Sequence, residues 1–324
     1  MVTGANGHLG NNVVRSLLDK GHRVRATVRN TKNTAPFTGL DCEVVYADLL
    51  DKDSLSQALA GVNTLYQVAA VFKQWAVKPE REIVHPAVMG TKNILTAAKE
   101  QGVKKVVYVS SVAALDHYLP NPLDENSWNH DYWDPYYEAK TESEKLAWDV
   151  SRQLDIDLVT VLPSAIIGPH CYGHLTPTMD LFHQILHNHL PFDPRFNFNF
   201  VDARDVAQGM LLAAQKGKTG ERYILATEKV FSTTELFEIA RSIYPNIRRP
   251  MPAPTLLLQI SAALMQLLSR ITLRPPMMLP SQVRHFHTMA ENYTILKAKK
   301  ELGFQPRPVV DSLRDTFAFL ARSR

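Results

Sequence analysis

Along the first half of the chain, short apolar runs alternate with longer stretches in which apolar residues recur every three or four positions. The runs at 23–28, 43–46, 64–68, 106–109 and 158–162 predict strands. The stretches at 9–20, 54–60 and 91–101, and the one carrying Tyr136 and Lys140, predict helices. A helix between two strands returns the chain across the sheet, so successive strands come out parallel. The expected fold class is therefore α/β, a doubly wound parallel sheet. Its central strand is short of residues, because only Met1 and Val2 precede Thr3 and the glycine-rich turn that follows. Either residues lie upstream of this numbering, or the strand is cut short.

Beyond Pro163 the alternation loosens. Helical periodicity returns at 206–215 and 234–244, and the stretch 245–254 is rich in proline. This half predicts a smaller C-terminal substrate lobe, giving units 1–165 and 166–324 with some strands and helices returning to the first sheet. The most apolar stretch, 255–268, reads TLLLQISAALMQLL. It is shorter than the about 20 apolar residues a bilayer span needs, so no integral membrane segment is expected. A helix buried in the lobe or in a subunit contact, hence a possible homodimer, fits it first; attachment to a membrane surface is the remaining option.

Composition changes this picture little. The chain has 324 residues, 45% hydrophobic and 21% charged, ordinary for a globular enzyme. A net charge of +4 is too small to argue for nucleic acid or a membrane surface as a partner. The only two cysteines, Cys42 and Cys171, do not make a disulfide framework, and a reducing cytoplasm fits best.

Two motifs carry chemistry. The first is Thr3-Gly4-Ala5-Asn6-Gly7-His8-Leu9-Gly10, running into the helical stripe Val13, Val14, Leu17, Leu18. Gly4 and Gly7 allow a tight turn and close approach of backbone to a pyrophosphate. Gly10 allows close helix packing, and the helix N-terminus offers unpaired N–H groups to the anion. The second is Tyr136 with Lys140, downstream of Ser110-Ser111. Residues four apart share a helix face, and a cation beside a phenol favours the phenolate, which would make Tyr136 a general acid and base.

With these motifs in this order, the chain resembles the extended short-chain dehydrogenase/reductase family. The segments Pro86-Ala87-Val88-Met89-Gly90-Thr91-Lys92-Asn93 and Glu301-Leu302-Gly303-Phe304-Gln305-Pro306-Arg307-Pro308 make it similar to the dihydroflavonol-reductase-like members in particular. The resemblance implies a Rossmann-type sheet that binds NADP(H) through Gly4, Asn6, Gly7, His8, Leu9 and Gly10. It implies Ser111, Tyr136 and Lys140 as the catalytic set, with Lys140 also on the nicotinamide ribose. Asp48 and Leu49 match the adenine-facing segment, Ala69 and Ala70 the backbone passing the cofactor, and Pro163 to Ile166 the nicotinamide-facing segment. The serine pair has a plainer alternative, capping the strand end.

The choice of cofactor follows from charge. Where an NAD-binding chain places an acid after its second strand, this one has Arg29, which can clamp a phosphate, with Lys32 close enough to help. That favours NADP over NAD; the alternative is a solvated basic turn. His183 and His187 stand four apart with His189 nearby, but no Glu or Cys supports a zinc spacing, so no metal is expected. His117 and Tyr118 read most simply as exposed loop residues, and Glu138, Glu142, Glu144 and Lys145 as a solvated helix face.

These readings together predict an NADPH-dependent reductase of a ketone or aldehyde, with Phe72, Trp75, Ile166, Ile167 and Met179 forming an apolar substrate side. The alternatives are a sugar-nucleotide epimerase, a 3β-hydroxysteroid-type dehydrogenase, or a redox-inactive NADP-binding regulator. Arg195 and Arg204 could serve a nucleotide sugar's diphosphate.

Overall fold

The computed structural model describes residues 1–70, 75–172, 174–276, 278–288 and 291–322. Its parallel sheet is built from β1 (Arg25–Val28), β2 (Glu43–Tyr46), β3 (Thr64–Gln67), β4 (Lys105–Val109) and β5 (Leu158–Pro163). β1 pairs with β2 on one side, and β3, β4 and β5 pair in sequence on the other. Val2 joins the two halves. It bridges Ala26 and Tyr66 in parallel, its N–H donating to the Arg25 carbonyl at 2.9 Å while Tyr66 N–H donates to Met1 O at 2.9 Å. The position of the central strand is thus filled by a few residues paired on both sides, which is what a buried strand needs to satisfy its backbone.

Helices α1 (His8–Asp19), α2 (Lys52–Leu59), α3 (His85–Glu100) and α4 (Pro135–Leu154) make the crossovers. α2, α3 and α4 cover one face, where Leu55, Ile94, Leu95, Val106 and Trp148 share a core. α1 covers the other, where Val13, Val14, Val107, Val161 and Met210 pack together.

The second half contains β6 (Ala165–Ile167), α5 (Pro177–Leu186), β7 (Phe192–Asp193), β8 (Asn197–Asp202), α6 (Ala203–Lys216) and β9 (Arg222–Leu225). It continues through β10 (Val230–Ser232), α7 (Thr233–Ile243), β11 (Met251–Pro252), α8 (Thr255–Thr272), α9 (Pro280–Thr288) and α10 (Val309–Arg322). α6 packs beside α1, and β9 extends the large sheet by pairing in parallel with β5. The remaining strands form two small sheets, β10-β8-β6 and β11-β7, and α5 and α10 pack on the first of them.

Three expectations need correction. Glu144 is fully buried rather than solvated: its carboxylate accepts from Arg222 at 2.9 and 3.1 Å, from Thr160 Oγ1 at 2.8 Å and from Ser110 Oγ at 2.5 Å. Helix spacing could not reveal this, because the arginine that neutralises it arrives on β9, 78 residues later. His117 is buried, not exposed, packed against Tyr137, His285 and Tyr293. The apolar stretch from 255 is longer than its first run, and α8 buries only Leu258, Ala262 and Ser269 along one side. Only that side meets the rest of the protein.

Candidate active site

The glycine turn is held by its neighbours on the sheet. Thr3 Oγ1 accepts from the N–H groups of Val68 and Ala69, both at 2.9 Å, and donates to Gln67 Oε1 at 2.8 Å. Gly4 has φ +60°, and a Cβ there would lie 3.0 Å from Ala69 Cα. A Cβ on Gly10 would lie 2.2 Å from the Gly4 carbonyl oxygen, so only glycine permits this packing of turn on helix. α1 starts at Gly7 with no side-chain cap and no acid in its first turn, leaving N–H groups for an outside anion. A dinucleotide pyrophosphate fits this cradle.

His8 ties the turn to the second half. Its Nε2 lies 3.0 Å from Gly168 O and 3.1 Å from Pro169 O, and Asn12 Nδ2 donates to Pro169 O at 3.0 Å. Burial pushes the His8 pKa down to about 4, so the ring is neutral at pH 7. Its imidazole is therefore a neutral structural link.

From the turn opens a cavity of about 910 Å³. Its wall includes Gly4, Asn6, Gly7, His8, Leu9, Gly10, Arg29, Asp48, Leu49, Ala69, Ala70, Ser111, Tyr136, Lys140, Pro163 and Ile166. Lys32 is not on it; its N–H donates to Asn30 Oδ1 at 3.0 Å in an exposed turn. Leu49 is fixed from behind, where Asn93 Nδ2 donates to its carbonyl at 2.9 Å. A Cβ on Gly90 would touch the Leu49 side chain at 3.0 Å. This is one physical use of the Gly90-to-Asn93 segment.

Ser111 follows β4 and caps a short 3₁₀ turn, its Oγ accepting from Ala113 N–H at 3.1 Å. Tyr136 stands in the first turn of α4, held where Asp134 Oδ1 accepts its N–H at 2.8 Å. Ser111 and Tyr136 share a side-chain hydrogen bond. One turn on, Lys140 Nζ lies 3.4 Å from the carbonyls of both Val109 and Ser110.

The expected lowering of the tyrosine pKa is absent from the bare protein. Burial dominates and raises Tyr136 to about 12, against the opposing Ser111 hydrogen bond. Burial also lowers Lys140 to about 8, partly offset by Glu144. Tyr137, next along the helix, also lines the cavity, but its hydroxyl is engaged 3.2 Å from His285 Nε2.

The far end of the cavity departs from the expected substrate side. Phe72 lies outside the described residues, and Trp75 is half-buried away from the wall. Ile167 and Met179 are fully buried in a core with Phe182, Phe200 and Phe317. Side chains alternate along a strand, so with Ile166 facing the cavity Ile167 must face away. On α5 it is Thr178 and Leu181 that face in. The apolar wall is built instead from Leu181, Leu190, Phe196, Phe198, Met265 and Phe286. Sequence reasoning missed these because they come from α5, β8, α8, α9 and the loops before β7 and β8; the aromatic run 196–200 was the available signal.

Arg204 is engaged by Asp202, at 2.8 and 2.7 Å, and by Asp315 at 2.6 Å, and neither it nor Arg195 lines the cavity. His183, His187 and His189 pack against one another in tilted and edge-on pairs, ring centroids 4.2 to 6.2 Å apart. Among the described residues, the metal-type donors that converge are those of His117, His285 and Glu291, within 4.8 Å of one another. Their pairing is internal: His117 Nε2 lies 3.0 Å from Val112 O, and His285 Nε2 is shared by Tyr137 and Glu291.

Comparison with known proteins agrees with this geometry. The chain is 36% identical over 243 residues to a dihydroflavonol 4-reductase-type protein of Synechocystis sp., covering 71% of this chain and 68% of that one. It is 35% identical over 235 residues to sterol demethylase protein B of Methylococcus capsulatus, covering 70% and 69%. The crystal structure of gox2253, 31% identical, superposes with a TM-score of 0.84 over 99% of this chain and 97% of that one. Residues 1–226 match the model of the NAD dependent epimerase/dehydratase family. With a glycine cradle, a parallel sheet and this wall of residues, the chain belongs to the NAD-dependent epimerase/dehydratase family.

Proposed function

We propose that the protein is an NADPH-dependent reductase of a bulky apolar or aromatic ketone or aldehyde. The observation that supports this reading is that Ser111, Tyr136 and Lys140 line the same cavity as the glycine turn and a set of apolar residues. Gly4 to Gly10 and Arg29 would hold NADPH, which would supply the hydride. Ser111 Oγ accepts from Ala113 N–H and is hydrogen-bonded to Tyr136, so its hydroxyl sits beside the phenol, where it can turn to donate to a substrate oxygen. Tyr136 delivers the proton to that oxygen, and its high pKa without ligand keeps the proton in place until then. The Lys140 ammonium, one helix turn on from Tyr136 and anchored on two carbonyls, would steady the phenolate as it forms.

An apolar wall favours substrates that lose little on leaving water, at about 25 cal/mol per Å² of apolar surface buried. A nucleotide sugar would need cationic or amide partners for its diphosphate, and Arg204 is already engaged with two aspartates. The names of the relatives, a dihydroflavonol reductase type and a sterol demethylase protein, are of the same apolar kind. The test is NADPH consumption together with product analysis, since epimerisation consumes no net NADPH, over a matched panel of aryl ketones, aliphatic aldehydes, steroids and nucleotide sugars. Turnover is expected with the aromatic or polycyclic members. Turnover of nucleotide sugars alone would make the protein an epimerase-type enzyme, and silence across the panel with NADPH still bound would favour the regulator.

A further inference from the structure

α8 has two unlike faces. Leu258, Ser261 and Met265 line the cavity, and Leu258, Ala262 and Ser269 are buried against the protein. On the opposite side Leu257, Ile260, Leu264, Leu267, Leu268 and Ile271 form a continuous stripe, between 49% and 73% exposed. Met251, on β11 just ahead of the helix, is also exposed, at 76%. By length and composition the helix is apolar enough to cross a membrane. With one side committed to the cavity and to α9, it can instead lie flat in an interface.

Charge says what covers the stripe. Between Glu238 and Glu291 the sequence has six arginines and no Asp, Glu or Lys, more positive charge than the net +4 of the whole chain. Exposed Arg248 and Arg249 stand ahead of the helix, and exposed Arg270 and Arg274 at its far end. Arg249 pairs with Glu238 at 3.2 Å; Arg270 and Arg274 have no ion pair among the described residues. A second copy meeting this face about a two-fold axis would bring the same arginines together, with no carboxylate from this segment to pair them. An anionic lipid surface satisfies both the leucine stripe and its basic ends.

We propose that the outer face of α8 seats the protein on an anionic bilayer, with the leucine stripe at the acyl boundary and the flanking arginines among the headgroups. This is independent of the chemistry in the cavity. Its consequence is geometric: the inner face of the same helix is cavity wall, one helix diameter of about 10 Å from the lipid.

Co-sedimentation with phosphatidylcholine vesicles, plain or with about a third phosphatidylglycerol, tests this. The unmutated protein should bind the anionic vesicles at low salt, release in about 0.5 M salt, and bind plain vesicles at least tenfold less. Leu264→Glu with Leu268→Glu, and separately Arg270→Glu with Arg274→Glu, should each cut binding tenfold or more while leaving the melting curve intact. If the glutamates impair folding, Ile260→Ser with Leu267→Ser serves instead. Failure to bind anionic vesicles would overturn the proposal. So would a dimer in sedimentation velocity that the leucine variant dissociates, since a second copy would then be the occupant.

Discussion

Ser110 and Ser111 are adjacent, yet their hydroxyls belong to different structures: Ser110 Oγ donates to buried Glu144 at 2.5 Å, while Ser111 Oγ caps Ala113 N–H at 3.1 Å on the cavity wall. Alternation along the extended chain turns the two in opposite directions. Ser110→Ala should therefore cost stability, about 1 to 3 kcal/mol for the donor lost from a buried carboxylate, and little in turnover per folded molecule. Ser111→Ala should lower reduction by about 10²-fold or more with the denaturation midpoint nearly unchanged. Urea melts and NADPH-coupled rates on both variants check this, and a reversed pattern would reassign the serines.

Tyr136→Phe should abolish reduction while NADPH binding persists, since only the proton donor is removed. Tyr137→Phe should retain most activity and lose about 1 kcal/mol of stability with its His285 contact. Fluorescence titration with NADPH beside steady-state kinetics separates the two effects. Equal loss of rate in both variants would mean the active phenol is misassigned.

NADPH should be preferred over NADH through Arg29, a charge-assisted contact worth about 1.5 to 3 kcal/mol. Arg29→Asp should erase or reverse the ratio of kcat/KM between the cofactors. Lys32→Ala should change that ratio little, because Lys32 stands off the wall. Equal efficiency with both cofactors in the unmutated protein would refute the Arg29 assignment.

Lys140 gives a pH signature. Burial lowers its pKa from the ordinary 10.5 to about 8, so between those values the unfolded chain binds the extra proton. Where the unfolded state binds more protons, stability rises with pH. Relative to Lys140→Met, the unmutated protein should thus gain stability from about pH 8 towards pH 10.5, and be least favoured below pH 8. Chemical denaturation of both proteins from pH 7 to 10 measures the difference; parallel curves would show that the ammonium is not desolvated.

The strands and crossover helices of the first half were legible because periodicity is local: each run carries its own spacing. The glycine turn was legible for the same reason, its requirements at Gly4 and Gly10 arising within a few residues. Arg29 reached the wall because it ends a strand, whose direction the sheet dictates. Lys32, three residues on, did not follow, because an Asn30 turn intervenes.

What the sequence by itself determined is the parallel sheet, the phosphate cradle and the order of the serine, tyrosine and lysine along the chain. The tertiary structure decided which faces look inward and which distant partners meet. Ile166 faces the cavity and Ile167 the core; Glu144 waits for Arg222, 78 residues away; His8 closes on Gly168, 160 residues away. It also decided that α8 is cavity wall on one side and bare leucine on the other. Periodicity states that a helix has an apolar side, but an all-round apolar helix such as α8 carries no mark of which side is covered, and only packing against the rest of the chain sets that.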